Sequence, residues 1–318
     1  MRPACRPTGR IATPMKGCAM RRRQFLKRFS VGTAALGMFP LLNWQKSARA
    51  NPFPHAVWVQ GGEPAELLEA ALKAYGGLER FVQKGDVVVV KPNIGWDRPP
   101  QLAADTNPDL VAAIVKACKQ AGAKEVKVFD RTCNNARRCY RNSKIQQMAK
   151  QAGARVEHIR RNKFKTIPID GVEIKEWPIY DEYLKADKVI NVPIAKHHGI
   201  SRVTLGLKNL MGVMGGNRGA IHNHFAEKLT DIDRKILPTL TIIDAYRILT
   251  ANGPAGGNPA DVQLTKTLIM SDCTVTADYL ALELFGLKLD EVEHIRRAYQ
   301  KGLAKYTPEH LNVRKIIL

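Results

Sequence analysis

The sequence predicts an α/β fold: a mostly parallel sheet with helices on both faces and a small inserted hairpin. Three observations carry the prediction. Short extended runs alternate with segments of helical periodicity along most of the chain. The clearest extended run, Asp86-Val-Val-Val-Val-Lys91, has four consecutive valines, as a strand buried on both faces does. The string Lys-Gln-Ala-Gly-Ala occurs at 119–123 and again at 150–154, each time with Gly where a helix would end in the left-handed conformation before a strand.

Taken in order, Pro64 to Val82 places Leu67, Leu68, Ala71, Leu72 and Tyr75 at helical spacing, with proline in the first turn. Strand 86–91 ends at Pro92-Asn93. Asn107-Pro108 opens a helix through Val111, Ile114, Val115 and Cys118 that stops at Gly122, and strand 126–130 follows. Ser143 to Gln151 is helical, then 156–159 is extended. Residues 167–177, with Asp170-Gly171 at the turn, read as the inserted hairpin. Further strands are expected at 188–193, 240–244 and 267–270, and a helix from Thr274 or Thr276 through Phe285. No long linker or low-complexity segment interrupts residues 51–318, which therefore read as a single α/β domain.

Residues 1–50 read as an export signal. Arg22-Arg23-Gln24-Phe25-Leu26-Lys27, an apolar run from Val31 to Leu42 and Ala48-Arg49-Ala50 form a basic region, a hydrophobic region and a small-residue cleavage site. The Arg-Arg-x-Phe-Leu-Lys string resembles the twin-arginine signal, which sends folded proteins to the bacterial periplasm and makes the twin-arginine translocase a partner during export. Gly32, Gly37 and Pro40 interrupt the apolar run, which is shorter than the roughly 20 residues a stable membrane anchor needs.

Removing that segment changes the charge argument. The whole chain carries 50 Lys/Arg against 29 Asp/Glu, net +21. Residues 1–50 hold eleven of the bases and no acid, leaving 39 against 29, net +10. Without a basic stripe interleaved with aromatics, a nucleic-acid partner is not supported, and a small anionic ligand is the more economical one. Nothing in the sequence sets an oligomeric state. Cys118, Cys133, Cys139 and Cys273 remain after the signal. Cys133 and Cys139 are expected as free thiols or as a short-loop disulfide, with metal thiolates a distant third.

Residues 188–226 are the most informative stretch. They contain no Asp or Glu, yet carry Lys188, Lys196, Arg202, Lys208, Arg218 and four of the chain's eight histidines, with six glycines between them. In an open parallel sheet, ligands bind outside the carboxyl ends of the strands. Those ends deliver Lys91, Asn93 and Trp96, then Asp130 and Thr132, then Lys196, His197 and His198, then Asp244 and Asp272. Lys196, His197 and Asp244 are expected to line one pocket as its catalytic groups. Lys91, Asn93, Lys208, Asn209 and Arg218 are expected to bind substrate around it. A lysine beside two imidazoles supplies a flexible cation and a base that titrates near neutrality; a solvated turn is the alternative for that segment. His222-x-His224 adds a second imidazole pair. His197, His222 and His224 with Asp244 would complete the ligand set of a divalent metal. Gly206 with the amides after it and Lys208 read as a helix start suited to phosphate or carboxylate. No Gly-x-x-x-x-Gly-Lys-Ser/Thr occurs, and no Gly-x-Gly-x-x-Gly follows the first strand, so a nicotinamide cofactor has no signature here.

Val-Lys-Pro-Asn (90–93), Asn-x-Pro-x-x-Lys-x-His (191–198), Thr-Leu-Gly-x-Lys-Asn-x-Met-Gly (204–212) and Asp244 followed by Gly253-Pro254 together resemble the bacterial and archaeal domain of unknown function 362 family. The resemblance spans about residues 55–290. It implies relatives joined to ferredoxin-like modules with two four-iron clusters. This chain lacks the Cys-x-x-Cys-x-x-Cys run, so an iron–sulfur cluster is not carried over. The first reading is an exported, metal-assisted enzyme acting on a small anionic substrate. Its rival is a non-catalytic periplasmic accessory protein that holds an anion or cofactor for a redox partner.

Overall fold

The structure, a computed structural model, describes residues 53–318. The expected signal and its cleavage site lie outside them. The strands are β1 (Ala56–Gln60), β2 (Val87–Pro92), β3 (Glu125–Val128), β4 (Arg155–Val156), β5 (Phe164–Pro168), β6 (Glu176–Tyr180), β7 (Lys188–Val192), β8 (Ile194–His198), β9 (Arg202–Thr204), β10 (Leu240–Leu249), β11 (Val262–Ser271) and β12 (Val313–Ile317). The helices are α1 (Pro64–Ala74), α2 (Pro108–Gln120), α3 (Ala136–Asn142), α4 (Ile145–Gln151), α5 (Asp181–Leu184), α6 (Gly206–Asn209), α7 (Phe225–Ile236), α8 (Thr274–Ala281) and α9 (Glu293–Gln300).

One sheet organises the molecule, in the order β12-β1-β11-β10-β7-β2-β3-β4. Along that path β11 is antiparallel to both neighbours, and every other pairing is parallel. The α/β class and the predominantly parallel sheet are as the alternating pattern predicts. Alternation along each strand divides the core in two. Val88, Val90, Ile190 and Ile242 pack on the side of α1, α2 and α4, whereas Val89, Val189 and Ile243 pack on the side of α7, α8 and α9. β5 and β6 form the separate hairpin, slightly longer than the sequence indicates.

Local chemistry sets the boundaries. α2 starts with Pro108, and the Asn107 side chain accepts from the Asp109 amide at 2.9 Å. Gly122 and Gly153, one in each Lys-Gln-Ala-Gly-Ala copy, have φ of 88° and 96°, the left-handed turn read from the sequence. α1 is shorter than the expected 64–82, because Gly76 and Gly77 break it. The joint that matters most lies at Pro193. β7 runs between β2 and β10, and beyond the proline the chain continues as β8, still alongside β10, with Ile194 opposite Asp244. β8 then turns back through β9, placing Lys196 opposite Thr204. The acid-free stretch is thereby folded over the carboxyl edge of the sheet.

Candidate functional site

At that edge the ends of β2, β3 and β8 open into a cavity of about 370 Å³. Asn93 and Trp96 line it from beyond β2, and Asp130, Arg131, Thr132 and Cys133 from beyond β3. Lys196 and His198 come from β8, Lys208 and Asn209 from α6, and Arg218 and His222 from the turn before α7. Six residues expected at the site, Asn93, Lys196, Lys208, Asn209, Arg218 and His222, thus share one cavity wall.

Beneath the wall sits a matched charge. Lys91 is fully buried, and its Nζ lies 2.8 Å from Asp130 Oδ1. Burial pulls the Lys91 pKa down, and Asp130 opposes that pull. The other Asp130 oxygen accepts from the Ile94 amide at 2.7 Å. Gly212 covers the pair. A Cβ there would sit 1.7 Å from Asp130 Oδ1 and 2.5 Å from Lys91 Nζ, so the position requires bare backbone. Lys91 is therefore a buried support of the cavity and not part of its lining.

Above it, an amide relay fixes the polar face. Asn191 donates to the Gly206 carbonyl, Asn209 donates to Asn191 Oδ1 at 2.9 Å, and Asn93 donates to Asn209 Oδ1 at 3.0 Å. Lys196 donates to Asn93 Oδ1, Ala104 O and Pro254 O, which occupies all three of its ammonium protons. Burial lowers the Lys196 pKa, opposed chiefly by the Asp105 carboxylate.

Lys208 is different. Among the described residues its Nζ has only the Met211 sulfur at 3.7 Å and His222 Nε2 at 3.2 Å as partners, and it stands 4.4 Å from the centre of the Phe225 ring. Burial pulls its pKa down to about 7, with Lys196 and Arg218 adding to the pull. Among the described residues no carboxylate is in ion-pair contact with Lys208, Lys196, Arg131 or Arg218. Arg218 instead braces the segment beyond β3, donating to Arg131 O at 2.8 Å and to the Cys133 sulfur at 3.4 Å. His198 is neutral near neutrality: burial, then Lys208, drops its pKa to about 3, and its Nδ1 accepts from the Ile200 amide. The only acid in the lining is Asp130, already matched by Lys91. The lining therefore presents an excess of positive charge to the cavity.

Besides Lys91, three expected positions fall elsewhere. His197 alternates away from Lys196 and His198, and its Nδ1 accepts from the Gly253 amide at 3.1 Å. That contact leaves no room for a side chain at Gly253, where a Cβ would lie 1.9 Å from the His197 carbonyl oxygen. Asp244 shares the α2 face of β10 with Ile242; its carboxylate accepts from the amides of Asn107 at 2.7 Å and Tyr246 at 3.1 Å. It anchors the start of α2, and burial raises its pKa to about 6. His224 is exposed and paired with Glu173 at 3.1 Å. The structure therefore does not bring His197, His222, His224 and Asp244 together as one ligand set, and no other group of three or more His, Cys, Asp or Glu among the described residues has metal-site geometry. Nor is the start of α6 open to an anion. Its first amides, Gly206 and Leu207, donate to the two oxygens of buried Asp278 at 2.6 and 2.8 Å. Cys133 and Cys139 are free thiols.

The sequence places His198 at the strand end without assigning it a role, and does not single out Arg131 and Cys133 as lining residues. The signal for His198 was strand alternation: a β8 that turns Lys196 inward turns His198 inward too. Arg131 and Cys133 flank Thr132 beyond β3, where the strand's alternation no longer holds and neighbouring side chains reach the cavity together.

Comparison with known proteins adds three findings. The model of the family described as domain of unknown function (DUF362) matches residues 88–283, which contain every residue of the cavity lining. A thylakoid-associated protein of Synechocystis sp. is 29% identical over 236 residues, 72% of either chain. Among solved structures, the lactate racemase apoprotein from Thermoanaerobacterium thermosaccharolyticum aligns with a TM-score of 0.43 and 11% identity, over 78% of this chain and 56% of that one.

Proposed function

The chain belongs to the DUF362 family, and on that premise we propose that its cavity binds a small anionic substrate and moves a proton on it. One observation carries the reading: the buried Lys208 amine faces the cavity with no carboxylate to neutralise it. Lys196 and Arg218 contribute their charge while bound to protein acceptors, so the anion finds a fixed field and one ammonium with spare donors. A Lys–imidazole pair inside hydrogen-bond distance holds and returns a proton at Lys208 Nζ, with His222 Nε2 as the second site. Asn93 and Asn209, locked by the relay, orient the ligand. No step is assigned to a metal, because the expected ligands lie on different faces.

The test is calorimetric titration of sulfate, acetate and pyruvate into the purified protein. Lys208→Met should weaken binding by about tenfold or more, the worth of one charge-assisted hydrogen bond, without lowering thermal stability. Absence of binding for all three anions in the unaltered protein would remove the reading.

We also propose delivery by the twin-arginine route to the periplasm, with cleavage after Ala50. The Arg22-Arg23 string and the thylakoid association in the relative's name support it, and no helix among the described residues is long and apolar enough to cross a membrane. Replacing Arg22 and Arg23 by lysine should hold the protein in the cytoplasm; unchanged periplasmic accumulation would exclude the route.

A further inference from the structure

We propose that Lys208 is a nucleophile whose amine condenses with the carbonyl carbon of a small 2-oxo acid, the acid's carboxylate lying against the cationic wall. The inference rests on the anion-site reading and adds the covalent step.

Three lysines are buried at this edge, and their surroundings separate them. Lys91 is held as an ammonium by Asp130. Lys196 is fastened by three oxygen acceptors, which favour its charged form. Lys208 has a ring face, a thioether and an imidazole around it, a setting that favours the uncharged amine. The groups that face it come from five elements: Lys196 and His198 from β8, Arg218 and His222 from the preceding turn, Cys133 from beyond β3, Phe225 from α7 and His294 from α9. None is a carboxylate. His222 is placed to accept a proton from the amine, because its Nδ1 is turned to the Gly219 carbonyl at 3.2 Å and its Nε2 is turned to Lys208. The fall of the Lys208 pKa to about 7 agrees with this arrangement. The cavity's 370 Å³ lies within the roughly 300–1,000 Å³ that takes small ligands.

The step balances without an oxidant or reductant. Lys208 gives one proton to His222, and the free electron pair on Nζ forms a C–N bond to the carbonyl carbon. The carbonyl π pair moves to oxygen, which takes the proton held by His222. A second proton, relayed from nitrogen, converts that hydroxyl to water, which leaves as the imine forms. Amine and ketone become imine and water.

Pyruvate and sodium cyanoborohydride, added together near neutral pH, report the imine as a stable secondary amine whose mass gain is that of pyruvic acid less one oxygen. The expected result is a single adduct on the Lys208 peptide, absent from Lys208→Arg, which keeps a cation but has no nucleophilic amine there. His222→Ala should slow trapping by about a hundredfold, within the range of a positioned general base. Acetate should compete with it. Label spread over exposed lysines and unchanged in Lys208→Arg would overturn the proposal. So would binding of pyruvate by calorimetry with no adduct at Lys208, an outcome that leaves the anion site standing. If Lys208→Arg fails to fold, the site of labelling in the unaltered protein decides.

Discussion

Two cavities of nearly equal size, about 370 Å³ at the carboxyl edge and about 360 Å³ between the hairpin loop, α7 and α9, treat their charges in opposite ways. In the second, Glu173 meets His224 and Glu227 meets both Arg297 and Lys301. Those pairs are at least partly solvated, and the two charged residues of that lining without an ion pair among the described residues, Glu293 and Arg296, are of opposite sign. In the first, one lysine is matched by Asp130, and Lys196, Lys208, Arg131 and Arg218 have no acid in contact. Volume does not distinguish a binding site here. An excess of unmatched charge of one sign sets the first apart, since a solvated pair is worth little and a desolvated lone cation is costly until an anion arrives.

The largest effect should come from breaking the one matched pair at the carboxyl edge. Asp130→Asn leaves Lys91 fully buried without its counter-ion, and loss of one partner of such a pair costs about 3–5 kcal/mol. Urea unfolding measures it; a loss under about 1 kcal/mol would show that the ion pair does not support the cavity wall.

A pH series sharpens the comparison at the next level. Lys208 must be protonated to pair with a permanently charged anion, and its folded pKa of about 7 is far below the usual lysine value near 10.4. Sulfate affinity should fall by up to about tenfold per pH unit above 7, with proton uptake on binding near that pH. The same shift sets a stability slope. Between pH 7 and about 10.4 the unfolded chain holds a proton that folded Lys208 releases, so stability from this group rises with pH over that window. Lys208→Met should flatten the rise. A sulfate affinity independent of pH from 6 to 9 would place the anion elsewhere.

The smallest effect belongs to the second cavity. His224→Ala removes an exposed pair and should change stability by about 1 kcal/mol or less, with anion affinity and any metal content unchanged. A drop in sulfate binding in that variant would erase the distinction between the two regions.

The sheet and the edge at which the cavity opens were legible because both follow from local pattern. Buried strands announce themselves as apolar runs, glycine marks where helices stop, and strand ends collect polar residues. What was not legible was facing. Lys196 and His197 are neighbours in sequence, and only β8's pairing with β10 and β9 decides that one enters the cavity and the other meets Gly253. Asp244 was read at a strand end; β10 runs on to Leu249, so that carboxylate is mid-strand and serves the α2 amides. α7 was legible and overlooked. Phe225, Leu229, Ile232 and Ile236 have helical spacing directly after the acid-free stretch, and the change from cationic loop to amphipathic helix falls at the boundary of the segment that drew attention.

Asp278 has a consequence for how the cavity comes apart on heating. α6 is four residues long, too short to persist on its own, and its opening amides are clamped by a carboxylate from α8. The position of Lys208 is thus a property of a neighbouring helix. Agitation that loosens α8 from the sheet would unfasten the amine while the strands remain paired. Ligand binding should then disappear at a lower temperature than the sheet's circular dichroism signal, a gap that would mark the site as the first part of the molecule to fail.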